Sequence, residues 1–368
     1  MAFPYKPAAH LLGSNGPIHA VAYSASPGTY ILTGSGDRSI RLYNPFPSTP
    51  APEAASARGA PKPAIPQGRL IQTYAAHGYE VLCLAVALDN ETFVSGGGDR
   101  AVFLWDVGSA TTLRRLGGHA GRVNSVAFGG PGDALIASGG FDTTVRLWDA
   151  RSRDARPVQV LSEARDAVTS VAVRGAEVLA GSVDGRVRAY DVRAGRCTTD
   201  VLGASVVSLA PTRDARAVLV GTLDSRVRLM DRESGACLRA YGTGGAEAES
   251  TSTSTGTGTT RARENRDLRV QAVMGGGEKY VLAGDEVGGE DGDGRLWVWD
   301  LLSGKVVDTL RVPWGPPGHD RRRMVAIGQD GERRARSNVL SCMAWRGDGW
   351  GDQFCVGGTS GVVTVFEA

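Results

Sequence analysis

The sequence predicts an all-β chain folded as a seven-bladed β-propeller, closed by pairing of its N- and C-terminal strands. Three observations predict it: one pattern of strand, turn and strand recurs seven times, the copies end at near-constant intervals, and no segment shows convincing helical periodicity.

The clearest copies are ILTGSGDRSIRLYN (31 to 44), FVSGGGDRAVFLWD (93 to 106), IASGGFDTTVRLWD (136 to 149), VLAGSVDGRVRAYD (178 to 191) and VLVGTLDSRVRLMD (218 to 231). Two divergent copies, GGEDGDGRLWVWD (288 to 300) and FCVGGTSGVVTVFE (354 to 367), make seven. Apolar residues alternate within each copy, as they do in strands buried on one face. The ends at 106, 149, 191 and 231 lie 43, 42 and 40 residues apart, the period of one four-stranded blade. The other three intervals are the same unit carrying an insertion. The last copy stops at its third strand, VVTVFEA, whereas PAAHLL (7 to 12) precedes the first full copy. Pairing the two closes the ring and leaves no exposed sheet edge.

Composition bounds the rest. A single all-β unit accommodates 368 residues. With 41 basic and 39 acidic residues the net charge is +2, so no whole-molecule field favours nucleic acid or anionic lipid. Only Lys6, Lys62, Lys279 and Lys305 are lysines; the other basic residues are arginines, whose planar fork suits carboxylates and phosphates. Five cysteines with no CxxC spacing read as reduced core thiols of an intracellular protein. No apolar run is long enough to span a bilayer, so no membrane partner is expected.

Ser, His and Asp recur at fixed places: His77, Ser95 and Asp99 with Trp105, then His119, Ser138 and Asp142 with Trp148. The same types build nucleophilic triads, but a nucleophile site would not be duplicated in successive repeats. Copies that lack the His or Ser keep an acid, at Asp37, Asp184, Asp224 and Asp293. The only Gly-Lys pair, Gly304-Lys305, is followed by Val and opens no helix, so no phosphate loop is expected. No paired-His or Cys/His cluster suggests a metal. The acidic DEVGGEDGDG (285 to 294) misses the EF-hand pattern and reads as a solvated turn. Catalytic residues, cofactor and metal are all expected to be absent.

Three insertions interrupt the period. Residues 45 to 68 are rich in Pro and Ala, 242 to 267 contain ESTSTSTGTGTT, and 313 to 337 carry RRR and ERRAR; all three read as flexible segments of one domain spanning 1 to 368. Propeller connectivity puts the first on the wide face and the other two on the narrow face, beside the acidic turn. Arg321, Arg322, Arg323, Arg333, Arg334 and Arg336 are then placed to pair with that turn, or with an acidic partner or phosphate backbone.

The Gly-His, Ser, Asp and Trp-Asp positions resemble those of WD repeats, in which Trp, Ser, His and Asp form a buried hydrogen-bonded chain. Three stretches also resemble one family, mitogen-activated protein kinase organizer 1, also called WD repeat domain 83: HGYEVLCLAVALDNETFVSGGGDRAVFLWDV (77 to 107), GHAGRVNSVAF (118 to 128) and PVQVLSEARDAVTSVAVRGAEVLAGSVDGRVRAYDVRAG (157 to 195). EARD and LAGSVDGRVR carry most weight, because blade structure does not demand them. The resemblance is strongest over residues 69 to 240. It implies a non-enzymatic scaffold of nucleus and cytoplasm, linked to a MAP kinase cascade and to late spliceosomal complexes, with a prolyl hydroxylase partner in animals.

Propellers meet partners through narrow-face loops. Arg38, Tyr79, Glu80, Arg100, Arg122, Phe141, Arg165 and Asp166 are the candidates there, since Tyr, Phe and Arg carry much of interface energy. The rival reading is a receptor for phosphopeptides, which requires Arg38, Arg100 and Arg122 to converge on the central channel. No aromatic stacking platform suggests direct RNA binding, so RNA is expected only through proteins. The propeller itself is expected to be monomeric.

Overall fold

The computed structural model describes residues 3–46, 65–242, 263–288, 292–316, 337–347 and 351–367, and the backbone of 325–327 and 333–335. Seven four-stranded antiparallel sheets are present, each beginning at its innermost strand. Blade 1 comprises Ile18–Tyr23, Ile31–Ser35, Ile40–Asn44 and Arg69–Tyr74. Blade 2 comprises Val81–Val86, Thr92–Gly97, Ala101–Asp106 and Thr112–Gly117, and blade 3 Val123–Gly129, Leu135–Gly140, Val145–Asp149 and Gln159–Leu161. Blade 4 runs from Val168–Arg174 to Arg196–Val201, blade 5 from Val206–Pro211 to Cys237–Tyr241, and blade 6 from Ala272–Gly275 to Val306–Val312. The only helical element among the described residues is a short 3₁₀ turn at Pro131–Asp133.

Blade 7 takes Cys342–Trp345, Gln353–Gly357 and Val363–Glu367 from the C-terminal end and its fourth strand, Lys6–Leu11, from the N-terminal end. The register runs from Lys6 opposite Glu367 to Leu11 opposite Val363, so the ring closes through a sheet ladder. On the other side of that N-terminal strand, the amide of His10 donates to Pro66 O and that of Gly68 donates to His10 O, each at 2.9 Å.

The core lies between neighbouring blades. Leu32, Ile40, Leu42 and Tyr74 of blade 1 pack on Val81, Phe93, Phe103 and Trp105 of blade 2, and equivalent clusters fill the other interfaces. Each fully buried large side chain contributes about 2–3 kcal/mol by leaving water. Near the channel, serines of successive innermost strands tie blade to blade: Val171 N donates to Ser125 Oγ, Leu209 N to Ser170 Oγ and Ala272 N to Ser208 Oγ.

The innermost strands of blades 1 to 5 share a register shift at their second residue: between Ile18 and Ala20, Val81 and Cys83, Val123 and Ser125, Val168 and Ser170, and Val206 and Ser208. A bulge re-aims the extra side chain. Here three of the extra residues, His19, Leu82 and Asn124, line the central channel.

Several expectations need correction. Residues 47–64, 243–262, 317–324, 328–332 and 336 lie outside the described residues. The ends of the insertions, by contrast, are built into the fold. Arg263 and Asn265 are buried, Arg263 Nε donates to Gly284 O at 2.9 Å, and Trp314 is buried. Within the arginine-rich segment, Val325–Ile327 pairs with Arg333–Ala335 as a two-stranded hairpin, consistent with β-branched Val325 and Ile327 favouring a strand. Arg321, Arg322, Arg323 and Arg336 lie outside the described residues, so their expected pairing does too. All five cysteines are free, but only Cys83, Cys342 and Cys355 are core thiols. Cys197 and Cys237 are exposed because they lie on outermost strands, which pack on one side only.

Candidate functional site

The turns between second and third strands and the connections between blades share one face, termed the upper face, which the sequence expects to be the narrow one. Two kinds of side-chain latch hold it.

In blades 2 and 3 the latch is a four-residue chain. Trp105 Nε1 donates to Ser95 Oγ at 2.8 Å, Ser95 Oγ lies 2.7 Å from His77 Nε2, and His77 Nδ1 lies 2.5 Å from Asp99. Blade 3 repeats it with Trp148, Ser138, His119 and Asp142 at 2.8, 2.8 and 3.0 Å. Both imidazoles are buried, and burial lowers their pKa below the usual value more than the neighbouring carboxylates raise it. Each nitrogen is thus occupied, and the serine Oγ is already shared between Trp and His. The arrangement braces the loops.

Blades 1, 4 and 5 hold the acid by an arginine instead. Arg41 Nη2 lies 2.8 Å from Asp37, Arg188 Nη2 lies 2.7 Å from Asp184, and Arg228 pairs with Asp224. Arg188 is almost fully buried and also donates to Ser182 Oγ at 2.8 Å; Arg228 donates to Thr222 Oγ1 at 2.6 Å. Burial works to raise the Asp184 carboxyl, but hydrogen bonds from Arg188 and Ser182 outweigh it and hold the pKa at about 2.

One position separates the two kinds. Where blades 2 and 3 have Gly97 and Gly140, blades 1, 4 and 5 have Ser35, Ser182 and Thr222, each two residues before the acid. A Cβ on Gly140 would lie 2.5 Å from both His119 Nδ1 and Asp142 Oδ1, and one on Gly97 would collide with Glu80 O. Glycine there makes room for the histidine chain; a hydroxyl residue replaces it where arginine serves. The acids of blades 1, 4 and 5 therefore have an arginine and a hydroxyl as partners in place of the histidine chain.

Blade 6 differs from expectation. Its latch acid is Asp285, not the aligned Asp293: Asp285 is 1% exposed and accepts from Trp297 Nε1 at 2.9 Å and from Glu264 N at 3.1 Å. The stretch 285 to 294 is not simply a solvated turn, because its first carboxylate would be costly to bury without these partners. Four of the acids also clamp the incoming connection. Asn15 N, Gly78 N, Ala120 N and Arg165 N donate to Asp37, Asp99, Asp142 and Asp184 at 2.8, 2.9, 2.9 and 3.1 Å.

The partner candidates are carried on that braced frame. Arg38 and Arg100 follow the latch acids in left-handed conformation, with φ of 70° and 59°. Tyr79 and Phe141 are 64% and 55% exposed, large for aromatic side chains. Arg100, Arg122 and Phe141 line one open, shallow depression of about 390 Å³ between blades 2 and 3, and the Arg122 guanidinium sits 5.1 Å from the Phe141 ring centroid. Tyr79 packs beside Gly98 on the rim of that depression. Arg165 and Asp166 are exposed on the connection entering blade 4, away from it.

Glu80 and Arg122 also line the mouth of the central channel, a cavity of about 370 Å³, with His19, Asn124, Arg269 and Gln271. Arg38 and Arg100 do not line it, because the turns that carry them lie one strand pair out from the innermost strands. The arginine triad expected to converge on the channel is thus represented there by Arg122 alone. Sequence reading missed Arg269, which comes from the divergent stretch entering blade 6. Among the described residues no group of three or more His, Cys, Asp or Glu is arranged to hold a metal, and no helix is long and apolar enough to cross a membrane.

Comparison with known proteins agrees with the architecture. The family model "WD domain, G-beta repeat" matches residues 5–44, 68–106 and 110–149. WD repeat domain-containing protein 83 of Rattus norvegicus is 35% identical over 297 residues, 81% of this chain and 79% of the relative. The Homo sapiens protein of that name is 36% identical over 300 residues, covering 82% and 80%. The Dictyostelium discoideum homolog is 26% identical over 331 residues, 82% and 86%. Closed seven-bladed architecture, duplicated latches and this similarity over most of both chains together show that the chain belongs to the WD repeat domain-containing protein 83 family.

Proposed function

We propose that this chain is a non-enzymatic scaffold that gathers proteins of a multiprotein assembly on its upper face. WD-repeat propellers typically serve as non-catalytic interaction platforms. The observation that carries the reading is the cluster of exposed Tyr79 and Phe141 with Arg100 and Arg122 between blades 2 and 3, held on a frame fixed by buried latches. Aromatic and arginine side chains on a pre-ordered surface supply contact energy at low entropic cost.

Family membership supports splicing factors of a late spliceosomal complex, components of a MAP kinase module, or both, as partners. A protein serving both assemblies resides in nucleus and cytoplasm. RNA reaches it through proteins. The test is affinity purification of the tagged chain from nuclear and cytosolic extracts, with and without nuclease, followed by mass spectrometry. Recovery of splicing factors resistant to nuclease supports the splicing assembly, and recovery of kinases alone removes it. A Tyr79→Ala, Phe141→Ala variant that recovers all partners undiminished removes the upper-face site.

A further inference from the structure

The mouth of the central channel holds two guanidinium groups without a carboxylate partner among the described residues. Arg269 enters from the connection to blade 6 and donates from Nη1 to Asn124 O at 2.6 Å, an acceptor contributed by blade 3 across the channel. Its Nε is fully buried and has no hydrogen-bond partner among the described residues. Arg122 lines the same cavity and is stacked on Phe141. Neither arginine has an ion pair among the described residues. Glu80, the one carboxylate among the described lining residues, is turned toward His19 instead, 3.7 Å from its Nε2.

Arg269 is half-buried with its Nε out of reach of solvent, and a charge even partly withdrawn from water without a counter-charge is unfavourable. The strain registers on its neighbours: burial lowers the Arg269 pKa and the Arg122 charge lowers it further, while Arg269 itself helps burial to depress His19. Two positive charges against one carboxylate leave the lining positive. The cavity of about 370 Å³ exceeds the volume of an acidic side chain.

We infer that the channel mouth is a binding site for a carboxylate presented by an acidic segment of a partner polypeptide, with Arg269 as its anchor and Arg122 as its second cation. Backbone bonding occupies Nη1 of Arg269. Because Nε is closed off from solvent, Nη2 is the donor that remains for an incoming carboxylate, with the Arg122 guanidinium as the second. Asn124 and Gln271 line the same space, with Asn124 Nδ2 already donating to Val168 O and Gln271 Oε1 accepting from Met343 N. The inference rests on the scaffold reading for the existence of a polypeptide partner, and it adds the chemistry by which that partner is recognised.

The test uses the full chain and a fluorescent Gly/Ser peptide carrying consecutive glutamates, with its glutamine and phosphoserine counterparts, at fixed ionic strength. Anisotropy is expected to show binding of the glutamate peptide at least about tenfold tighter than the glutamine peptide, and loss of that preference in Arg269→Gln and Arg122→Gln. Arg122 is exposed, so its variant tests the site even where Arg269→Gln fails to fold. Equal binding of glutamate and glutamine peptides, unchanged binding by a folded variant, or binding only when the peptide is phosphorylated overturns the carboxylate site. If purification still recovers an assembly while the glutamate peptide fails, this site falls and the scaffold reading stands.

Discussion

Arg188 holds Asp184 in blade 4, Nη2 to Oδ2 at 2.7 Å with both side chains largely buried, in the place where His77 holds Asp99 in blade 2. The two solutions share a task, to keep a buried acid satisfied so that it can clamp the connection entering its blade, but they make different predictions.

Arg188→Ala is expected to lower the unfolding free energy by roughly 3 kcal/mol, because it strands a buried carboxylate. Arg188→Met with Asp184→Asn should recover part of the loss. Because the Asp184 pKa is held at about 2, below its unfolded value, this pair stabilises above the unfolded pKa and its contribution is lost as pH falls toward about 2. Urea unfolding of wild type and variants across acid pH checks both statements.

Gly140→Ser brings the residue of an arginine blade into a histidine blade. A Cβ there lies 2.5 Å from the His119 ring, so overpacking of roughly 3 kcal/mol is expected. Combining it with His119→Ala should relieve more than half of that cost. The converse change, Ser182→Gly, removes the buried Cβ and the hydroxyl bonded to Asp184 and Arg188 and frees the backbone, and should cost about 2 kcal/mol. A double-mutant cycle by denaturant unfolding measures the coupling.

His77 and His119 both have folded pKa values lowered by burial, so the unfolded chain binds protons more readily. Their contribution is present above the unfolded pKa of about 6.5 and is lost as pH drops below it. The urea midpoint is expected to fall between about pH 7.5 and about pH 5.5. A His77→Gln, His119→Gln chain should be less stable at neutral pH and flatter over this range.

Deleting residues 3–11 removes the strand that closes blade 7, including buried Phe3, Ala9 and Leu11. Lost apolar burial of about 5 kcal/mol and an exposed Val363–Glu367 edge should abolish cooperative unfolding and promote association. Circular dichroism melting and size-exclusion chromatography report the outcome.

Much of this was legible because the propeller is a repeat. The period, the strand alternation and the His, Ser, Asp and Trp positions stand at constant offsets, and the offsets are local. The arginine latches were equally visible, four residues after Asp37, Asp184 and Asp224, yet a search confined to His and Ser overlooks them. Asp285 was hidden because the turn of blade 6 is longer, so counting back from Trp-Asp reaches Asp293.

What the sequence alone determined is the number of blades, their strands and the closure by the two ends, since strand period and turn chemistry act over neighbouring residues. Only the tertiary structure decided which side chains meet. Arg269 and Asn124 are 145 residues apart, yet they touch across the channel because ring closure brings the innermost strands of blades 3 and 6 to a common axis. No spacing within a repeat encodes that distance, because it is set by how many blades complete the circle.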